Sequence, residues 1–142
     1  CTFLAMAGLN RLDLEAVPAT AIDTDDMLPA VAQGAIGIER RGDDARVAEM
    51  LSAIHDVPTG QRLACERAYL AQLDGSCETP IAGLAELDGG TVHFRAEILR
   101  PDGTEALSDA ETSTIEDAAE MGRAVADRLT ARAPENFFDW RS

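Results

Sequence analysis

The stretch IAGLAELDGGTVHFRAEILRPDG, residues 81–103, carries the clearest structural signal in the chain. Residues 81–87 predict one strand, and the Asp-Gly-Gly triplet at 88–90 is typical of a tight turn. Over 91–100 the inward apolar residues recur at every second position, as Val92, Phe94, Ala96 and Ile98. This alternation predicts a second, half-buried strand, so we expect an antiparallel hairpin.

Further elements are predicted on both sides of this hairpin. Pro101-Asp-Gly103 predicts a turn, because proline presets φ and glycine accepts a positive φ, and a third strand follows over 105–110. Ser113-Thr-Ile-Glu116 matches a capping box for a helix that runs to about Arg132. A helix from Thr59 to Leu73 precedes the hairpin. The fold class predicted is α+β, with helices packed against a three-stranded antiparallel sheet.

For residues 1–54 the sequence predicts separate strands and a helix, but too few strands for a complete fold. Residues 2–8 and 35–39 predict short strands, and 44–54 predicts a helix that Asp43 caps. Its expected buried stripe comprises Val47, Met50, Leu51 and Ile54. Because the sequence starts on an apolar run without methionine, we expect a truncated or partly observed chain. The break at Pro58 predicts a domain boundary.

Charge and composition exclude some classes of partner. The formal net charge is -14 and the arginines are scattered, which argues against nucleic acid and anionic membranes as partners. No apolar run approaches the roughly 20 residues of a membrane span, and no signal peptide is evident. An acidic chain can still bind an acidic ligand where a few arginines converge.

Three cysteines, Cys1, Cys65 and Cys77, occur without a CxxC pair. This odd number at long spacings favours neither a disulfide scaffold nor a zinc site, and we expect no metal. Cys77 lies in a polar loop between a helix and a strand, where a thiol is more reactive than one in a core. Cys65 is expected to be a small core residue.

Other polar residues give weaker signals. His55 and His93 are far apart without partners at metal spacing, and the acidic pairs Asp25-Asp26 and Asp43-Asp44 indicate caps. Arg11 could be a solvated arginine or a bidentate clamp for a carboxylate. Gln33, beside Gly34, could be a loop residue or could approach a flat ligand.

Several segments together resemble the porphobilinogen deaminases (hydroxymethylbilane synthases). Their order and intervals match over essentially the whole chain, and the set is specific although each motif is short. The segments are Ala7-Gly-Leu-Asn-Arg-Leu12, Leu28-Pro-Ala-Val-Ala-Gln-Gly-Ala-Ile-Gly-Ile-Glu39, Glu66-Arg-Ala-Tyr-Leu70, Leu73-Asp-Gly-Ser-Cys-Glu-Thr-Pro-Ile81 and Arg100-Pro-Asp-Gly103.

The resemblance implies a cofactor site. Family enzymes hold a dipyrromethane through a thioether to a cysteine, which corresponds to Cys77, and join four porphobilinogen units with loss of ammonia. A soft thiolate suits the electrophilic carbon left by that loss. Arg11 corresponds to a contact for acetate or propionate groups, Gln33 to a cofactor contact, and Ala5 to a residue whose backbone lies near the pyrroles. Ala32 departs from the family, which often has glycine there, and would crowd the loop if its φ is positive.

The resemblance also implies a domain arrangement. Residues 1–34 correspond to the end of the second domain and a hinge, 35–56 to a segment returning to the first domain, and 57–142 to the complete third domain. The family's catalytic aspartate comes from the first domain, so no catalytic residue is assigned here, and we expect this chain alone to be inactive. The expected partners are porphobilinogen and the N-terminal half of the enzyme, in a cytoplasmic monomer.

Two other functions compete with this interpretation. One is a non-enzymatic α+β ligand-binding or interaction domain in which Cys77 is inert. The other is a cysteine-dependent hydrolase or redox enzyme, which requires a histidine within reach of Cys77.

Overall fold

A computed structural model of the chain describes residues 2–13, 16–75 and 79–137. The antiparallel sheet has the strand order β1-β2-β3, and α3 and α4 pack against one of its faces. This arrangement confirms the predicted α+β class. The elements along the chain are α1 (Met6–Arg11), α2 (Ala45–Ser52), α3 (Val57–Gln72), β1 (Ile81–Asp88), β2 (Thr91–Leu99), β3 (Ala106–Thr114) and α4 (Ala118–Arg132).

The β1–β2 hairpin forms where the alternating pattern predicts it. Asp88 pairs with Thr91 at its end, and Gly89 adopts a φ of 57° in the turn between them. The Thr91 hydroxyl donates to the Asp88 carbonyl at 2.8 Å. A two-residue loop of this kind needs a positive φ, which glycine adopts without steric cost.

The core lies between the inner face of the sheet and the two long helices. All four inward residues of β2 named above are buried, and they meet Tyr69 of α3 and Val125 and Leu129 of α4. The Tyr69 and Phe94 rings pack edge to face with centroids 5.2 Å apart. Tyr69 also donates its phenolic O–H to the Glu97 carbonyl at 3.1 Å, so its polar end is satisfied.

Helices α3 and α4 approach closely at Gly122. A Cβ at this position would lie 2.3 Å from the Cys65 carbonyl oxygen and 3.2 Å from the Tyr69 backbone nitrogen. Glycine at 122 therefore permits a helix contact that any side chain would push apart.

The start of α4 differs from its prediction. Strand β3 continues to Thr114, so Ser113 belongs to the sheet, and the predicted capping box at Ser113–Glu116 is wrong. One residue later, the Thr114 hydroxyl accepts the Asp117 N–H at 3.2 Å and donates to the Asp117 carboxylate at 3.0 Å. Pairing with β2 extends the strand through a stretch that local sequence predicts as a cap.

The predicted strands at 2–8 and 35–39 are also wrong. Residues 6–11 form the short helix α1, and 35–40 have no regular structure. A strand needs a neighbour to complete its hydrogen bonds, and within the described residues neither segment lies in the sheet. Both segments are apolar without being buried, as the 94% exposure of Ile36 shows.

Helix α2 forms near its predicted position, but its apolar stripe is not buried. Met50 and Ile54 are 57% and 69% exposed, and Val47 and Leu51 are only partly covered. Among the described elements α2 packs against no other helix or strand. Its N-cap is Asp44 rather than Asp43, because the Asp44 carboxylate accepts the Val47 N–H at 3.0 Å.

Candidate functional site

The segment at 29–35, which contains the predicted site residue Gln33, lies across the edge of β1. The Pro29 carbonyl accepts the Gly83 N–H at 3.0 Å, and Ala30 forms an isolated bridge with Ala82. These contacts cover the exposed edge of the sheet, and they hold the segment close to the middle of β1.

Two residues beside Gln33 have left-handed backbone conformations. Ala32 has a φ of 62° and Gly34 a φ of 81°. Glycine tolerates this region, whereas alanine is strained there by roughly 1–2 kcal/mol. Ala32 therefore has the positive φ at which an alanine would crowd the loop. Glycine would adopt this conformation without strain.

Gln33 borders a cavity of about 220 Å³ between this segment, α3 and β1. Its amide can donate and accept hydrogen bonds, and Arg62 of α3 adds a guanidinium that suits carboxylates. Among the residues that the structure describes, no ion pair involves Arg62. Other lining residues are Thr59, Leu63, Glu66, Leu84 and Ala85.

This chemistry suits part of a ligand that carries carboxylates. Sites that enclose a small organic ligand usually measure about 300–1,000 Å³, more than this cavity offers. The lining residues therefore fit one portion of a dipyrromethane, such as a carboxylate-bearing arm, rather than the whole molecule.

The other two predicted contacts lie on α1. Ala5 is the N-cap residue, and Arg11 is the last residue of this six-residue helix. Both are exposed, and neither lines the cavity beside Gln33. The described structure thus brings Gln33 to a defined site, whereas Ala5 and Arg11 remain on a helix that packs against none of the described elements.

Cys77 lies outside the described residues, but both ends of its loop are described. After the end of α3 at Gln72, Asp74 has a φ of 50°, and the Gly75 N–H donates to the Leu70 carbonyl at 3.0 Å. This is a Schellman ending in which Asp74 is the left-handed residue. A Cβ at Gly75 would lie 2.5 Å from Leu70 Cδ1, so a larger residue there would require the Leu70 side chain to shift.

The chain resumes beside the sheet. The Thr79 carbonyl accepts the Ile81 N–H at 2.8 Å, and the Pro80 carbonyl accepts the Leu99 N–H at 3.0 Å. The Cys77 loop is therefore anchored at one end by a helix and at the other by the paired strands β1 and β2.

Cys65 is a buried cysteine whose thiol is unreactive. Its side chain is fully buried in the core, as predicted. Burial, with smaller contributions from the charges of Glu66 and Glu111, raises the pKa of Cys65 to about 12. A thiol in such a site supplies almost no thiolate near neutral pH.

The two histidines lie apart from the cavity beside Gln33. His55 follows α2, and its ring occupies the space that a Cβ at Gly60 would need, while His93 lies on the outer face of β2 with Nδ1 2.7 Å from the Thr112 hydroxyl. Cys77 lies outside the described residues, so a histidine partner for it stays a prediction.

Among residues 2–13, 16–75 and 79–137, no His, Cys, Asp and Glu side chains form a group of three or more able to hold a metal ion. The same part of the chain has no helix of the length and apolarity that crossing a membrane requires.

Glu66 and Arg62 are site residues that sequence reasoning did not identify. Glu66 interrupts the inward side of α3 between Cys65 and Tyr69, both fully buried. A charged residue in a buried helical stripe is unusual enough to indicate a specific partner. That partner could not be located in advance, because it is the Ala32 backbone, 34 residues earlier.

Two family models match the chain. The model described as porphobilinogen deaminase, dipyromethane cofactor binding domain, matches residues 1–49, and that described as porphobilinogen deaminase, C-terminal domain, matches residues 61–131. The second covers most of the packed α+β unit, and the first contains Ala5, Arg11 and Gln33.

Curated relatives match almost the full chain. It is 56% identical over 139 residues to a porphobilinogen deaminase of Paracoccus denitrificans, a match covering 98% of this chain and 44% of that protein. The porphobilinogen deaminases of Nitrobacter hamburgensis and Nitrobacter winogradskyi are each 47% identical over 137 residues, covering 96% of this chain and 43% of theirs.

These relatives and both family models carry the name porphobilinogen deaminase. The chain belongs to the porphobilinogen deaminase family. It spans less than half the length of the curated relatives it matches.

Proposed function

We propose that the chain acts as the C-terminal part of a porphobilinogen deaminase (hydroxymethylbilane synthase) in tetrapyrrole biosynthesis, including that of haem. The complete enzyme would condense four porphobilinogen molecules head to tail, release ammonia, and yield hydroxymethylbilane. The observation that carries this proposal is the 56% identity to the Paracoccus denitrificans deaminase across 98% of the chain. The match of the cofactor-domain model to residues 1–49 supports it.

We propose Cys77 as the covalent attachment point for the dipyrromethane. When bound, this group supplies the free pyrrole carbon to which substrate units are added. Cys77 would provide the sulfur of the thioether, and its loop begins and ends on anchored backbone at Gly75 and Thr79. Cys65, the cysteine in the described core, is buried with a raised pKa, which makes it a poor nucleophile for this attachment.

We propose that Arg11 and Gln33 hold carboxylate and pyrrole groups, while the Ala5 backbone lies near the pyrrole rings. Arg11 offers a planar guanidinium on an exposed helix end, free to meet a carboxylate. Gln33 offers its amide at the cavity beside Arg62. Together they reconcile a chain of net charge -14 with an acidic ligand.

The domain arrangement is also a proposal. Residues 1–34 would end the second domain and form a hinge, 35–56 would return to the first domain, and 57–142 would form the cofactor-attachment domain. In support, the packed helices and strands all fall within 57–132, with Phe137 added to their core. We further propose that the N-terminal half of the enzyme completes the active site, and that the enzyme is a cytoplasmic monomer.

Intact-mass measurement tests the cofactor proposal. The complete enzyme should be heavier than its sequence by one dipyrromethane, and Cys77→Ser should abolish this increment. Cys65→Ala is the matched control, since a buried thiol with a raised pKa should not carry the group. An unmutated enzyme without the increment, or an increment that survives Cys77→Ser, would contradict the proposal. Ehrlich's reagent, which colours a bound dipyrromethane, gives an independent readout.

Bilane formation from porphobilinogen tests the activity. The complete enzyme should turn over, and the 142-residue chain alone should not, because the family's catalytic aspartate lies in the first domain. Arg11→Ala should raise KM about 10-fold or more, since a hydrogen bond to a charged group contributes about 1.5–3 kcal/mol. The control Arg123→Ala removes an exposed arginine that pairs with Glu120 on α4, and should leave KM unchanged. Equal effects of the two substitutions would count against the role of Arg11.

A further inference from the structure

Glu66 is a buried charged side chain at the junction of three segments. It is 6% exposed on the inner side of α3. Its Oε1 accepts the Ala85 N–H of β1 at 2.9 Å, and its Oε2 accepts the Ala32 N–H at 2.7 Å. A buried carboxylate is tolerated only with such partners, and hydrogen bonds to an ionised acceptor are stronger than neutral ones. One carboxylate therefore joins the segment at 29–35 to both α3 and β1.

The residue held by Oε2 is the strained one. Ala32 has a φ of 62°, a conformation that a non-glycine residue keeps only where its surroundings impose it. Local turns contribute, because the Ala30 carbonyl accepts the Gln33 N–H at 3.0 Å. From outside the segment, Glu66 accepts the N–H of Ala32, the residue directly before Gln33.

The geometry points to Glu66 as a positioning residue for Gln33. By holding the Ala32 N–H, Glu66 sets the backbone directly before Gln33, which borders the cavity of about 220 Å³. Both carboxylate oxygens accept backbone N–H groups, so the role assigned to Glu66 is exerted through the Ala32 backbone. The catalytic consequence rests on the proposed function, whereas the anchoring of the segment does not.

Two substitutions on α3 separate positioning from stability. Glu66→Gln keeps the shape but turns one acceptor oxygen into an NH2 group, which must face one of the two backbone donors and leave it unpaired. Tyr69→Phe is the matched control, because it removes a hydrogen bond of 3.1 Å to the Glu97 carbonyl about one turn away. It leaves Ala32 and Gln33 untouched. Both variants should lower the melting temperature.

The decisive measurement is a double-mutant cycle with Gln33→Ala in the complete enzyme. In the unmutated and Tyr69→Phe backgrounds, Gln33→Ala should lower kcat/KM about 10-fold, the size expected when a supported ligand contact is lost. In the Glu66→Gln background the additional loss should be under about twofold, because Gln33 is already displaced. An undiminished loss in that background would overturn the inference.

Amide hydrogen exchange on the unmutated chain tests the anchoring even if Glu66→Gln does not fold. The Ala32 amide should exchange at least about 100-fold more slowly than that of Ile36, which is 94% exposed in the same stretch. Equal rates would overturn the anchoring by Glu66. An unmutated complete enzyme lacking the dipyrromethane mass would instead overturn the proposed function and the catalytic consequence, while the exchange rates would still decide the anchoring.

Discussion

Residues 57–137 and residues 2–54 use similar apolar material in opposite ways. In the first region, α3, α4 and the sheet enclose a continuous core that includes Phe94 and Phe137, both fully buried. In the second, α1 and α2 contain no buried residue, and Phe3 is 76% exposed. The same residue type therefore contributes differently in the two regions, because burial rather than composition supplies the stability.

The largest expected difference concerns the two phenylalanines. Phe94→Ala should lower the free energy of unfolding by about 3–5 kcal/mol, because it leaves a cavity against Tyr69 and Gly83. Phe3→Ala should change it by less than about 0.5 kcal/mol. Urea unfolding followed by circular dichroism measures both. Comparable losses would mean that residues 2–54 are as well packed as residues 57–137.

The second-largest expected difference concerns a glycine-to-alanine substitution in one helix of each region. Gly122→Ala should destabilise by about 1–3 kcal/mol, since its Cβ would meet the Cys65 carbonyl oxygen at 2.3 Å. Gly8→Ala in α1 has no atom within 4 Å, so the intrinsic helix preference of alanine should make it neutral or stabilising by up to about 1 kcal/mol. Gly122→Ala should lower the melting temperature, whereas Gly8→Ala should leave it unchanged or raise it. A lower melting temperature for Gly8→Ala would contradict this prediction.

A smaller effect is expected where the two regions meet, at Ala32. Ala32→Gly should be neutral to stabilising by up to about 1 kcal/mol, because relief of the left-handed strain outweighs the added flexibility of the unfolded chain. Ala30→Gly, two residues earlier and outside the positive-φ region, should instead destabilise by roughly 0.5–1 kcal/mol. Chemical denaturation of the pair gives the sign directly, and a clear loss for Ala32→Gly would contradict the strain.

The smallest expected effect is the acid sensitivity of the β3–α4 contact. Burial alone would raise the pKa of Asp109, but hydrogen bonds from Arg128 and the Ala110 N–H, with nearby arginine charges, lower it below its ordinary value. The carboxylate therefore stabilises the fold above its unfolded pKa of about 3.9, and this contribution is lost as the pH falls through the lower folded value.

Asp109→Asn should therefore make the free energy of unfolding fall less steeply below about pH 4. The difference should be at most about 1 kcal/mol, because the ion pair is partly exposed. Asp43→Asn is the control, because Asp43 is exposed and makes no ion pair within the described part of the chain. Unfolding measured between pH 2 and 7 would show the difference, and identical acid limbs for the two variants would exclude this contribution.

Local pattern was a good guide wherever an element has its partners close in sequence. The hairpin, the turn at 101–103 and the two long helices lie close to their predicted positions. The wrong strands at 2–8 and 35–39 have apolar sequences but no neighbouring strand in the described structure. The periodicity of apolar residues indicates which face of an element could be buried. That face is buried only if another helix or strand packs against it.

By itself the sequence determined the α+β class, the position of the hairpin, the core position of Cys65 and the motifs that place the chain in its family. These depend on alternation, turn residues and residue order, all of which are local. Only the tertiary structure decided that Glu66 reaches across 34 residues to the Ala32 backbone, that Gly122 lets two helices approach closely, and that the apolar stripe of α2 is exposed. Such contacts join residues distant in sequence, so no local pattern contains them.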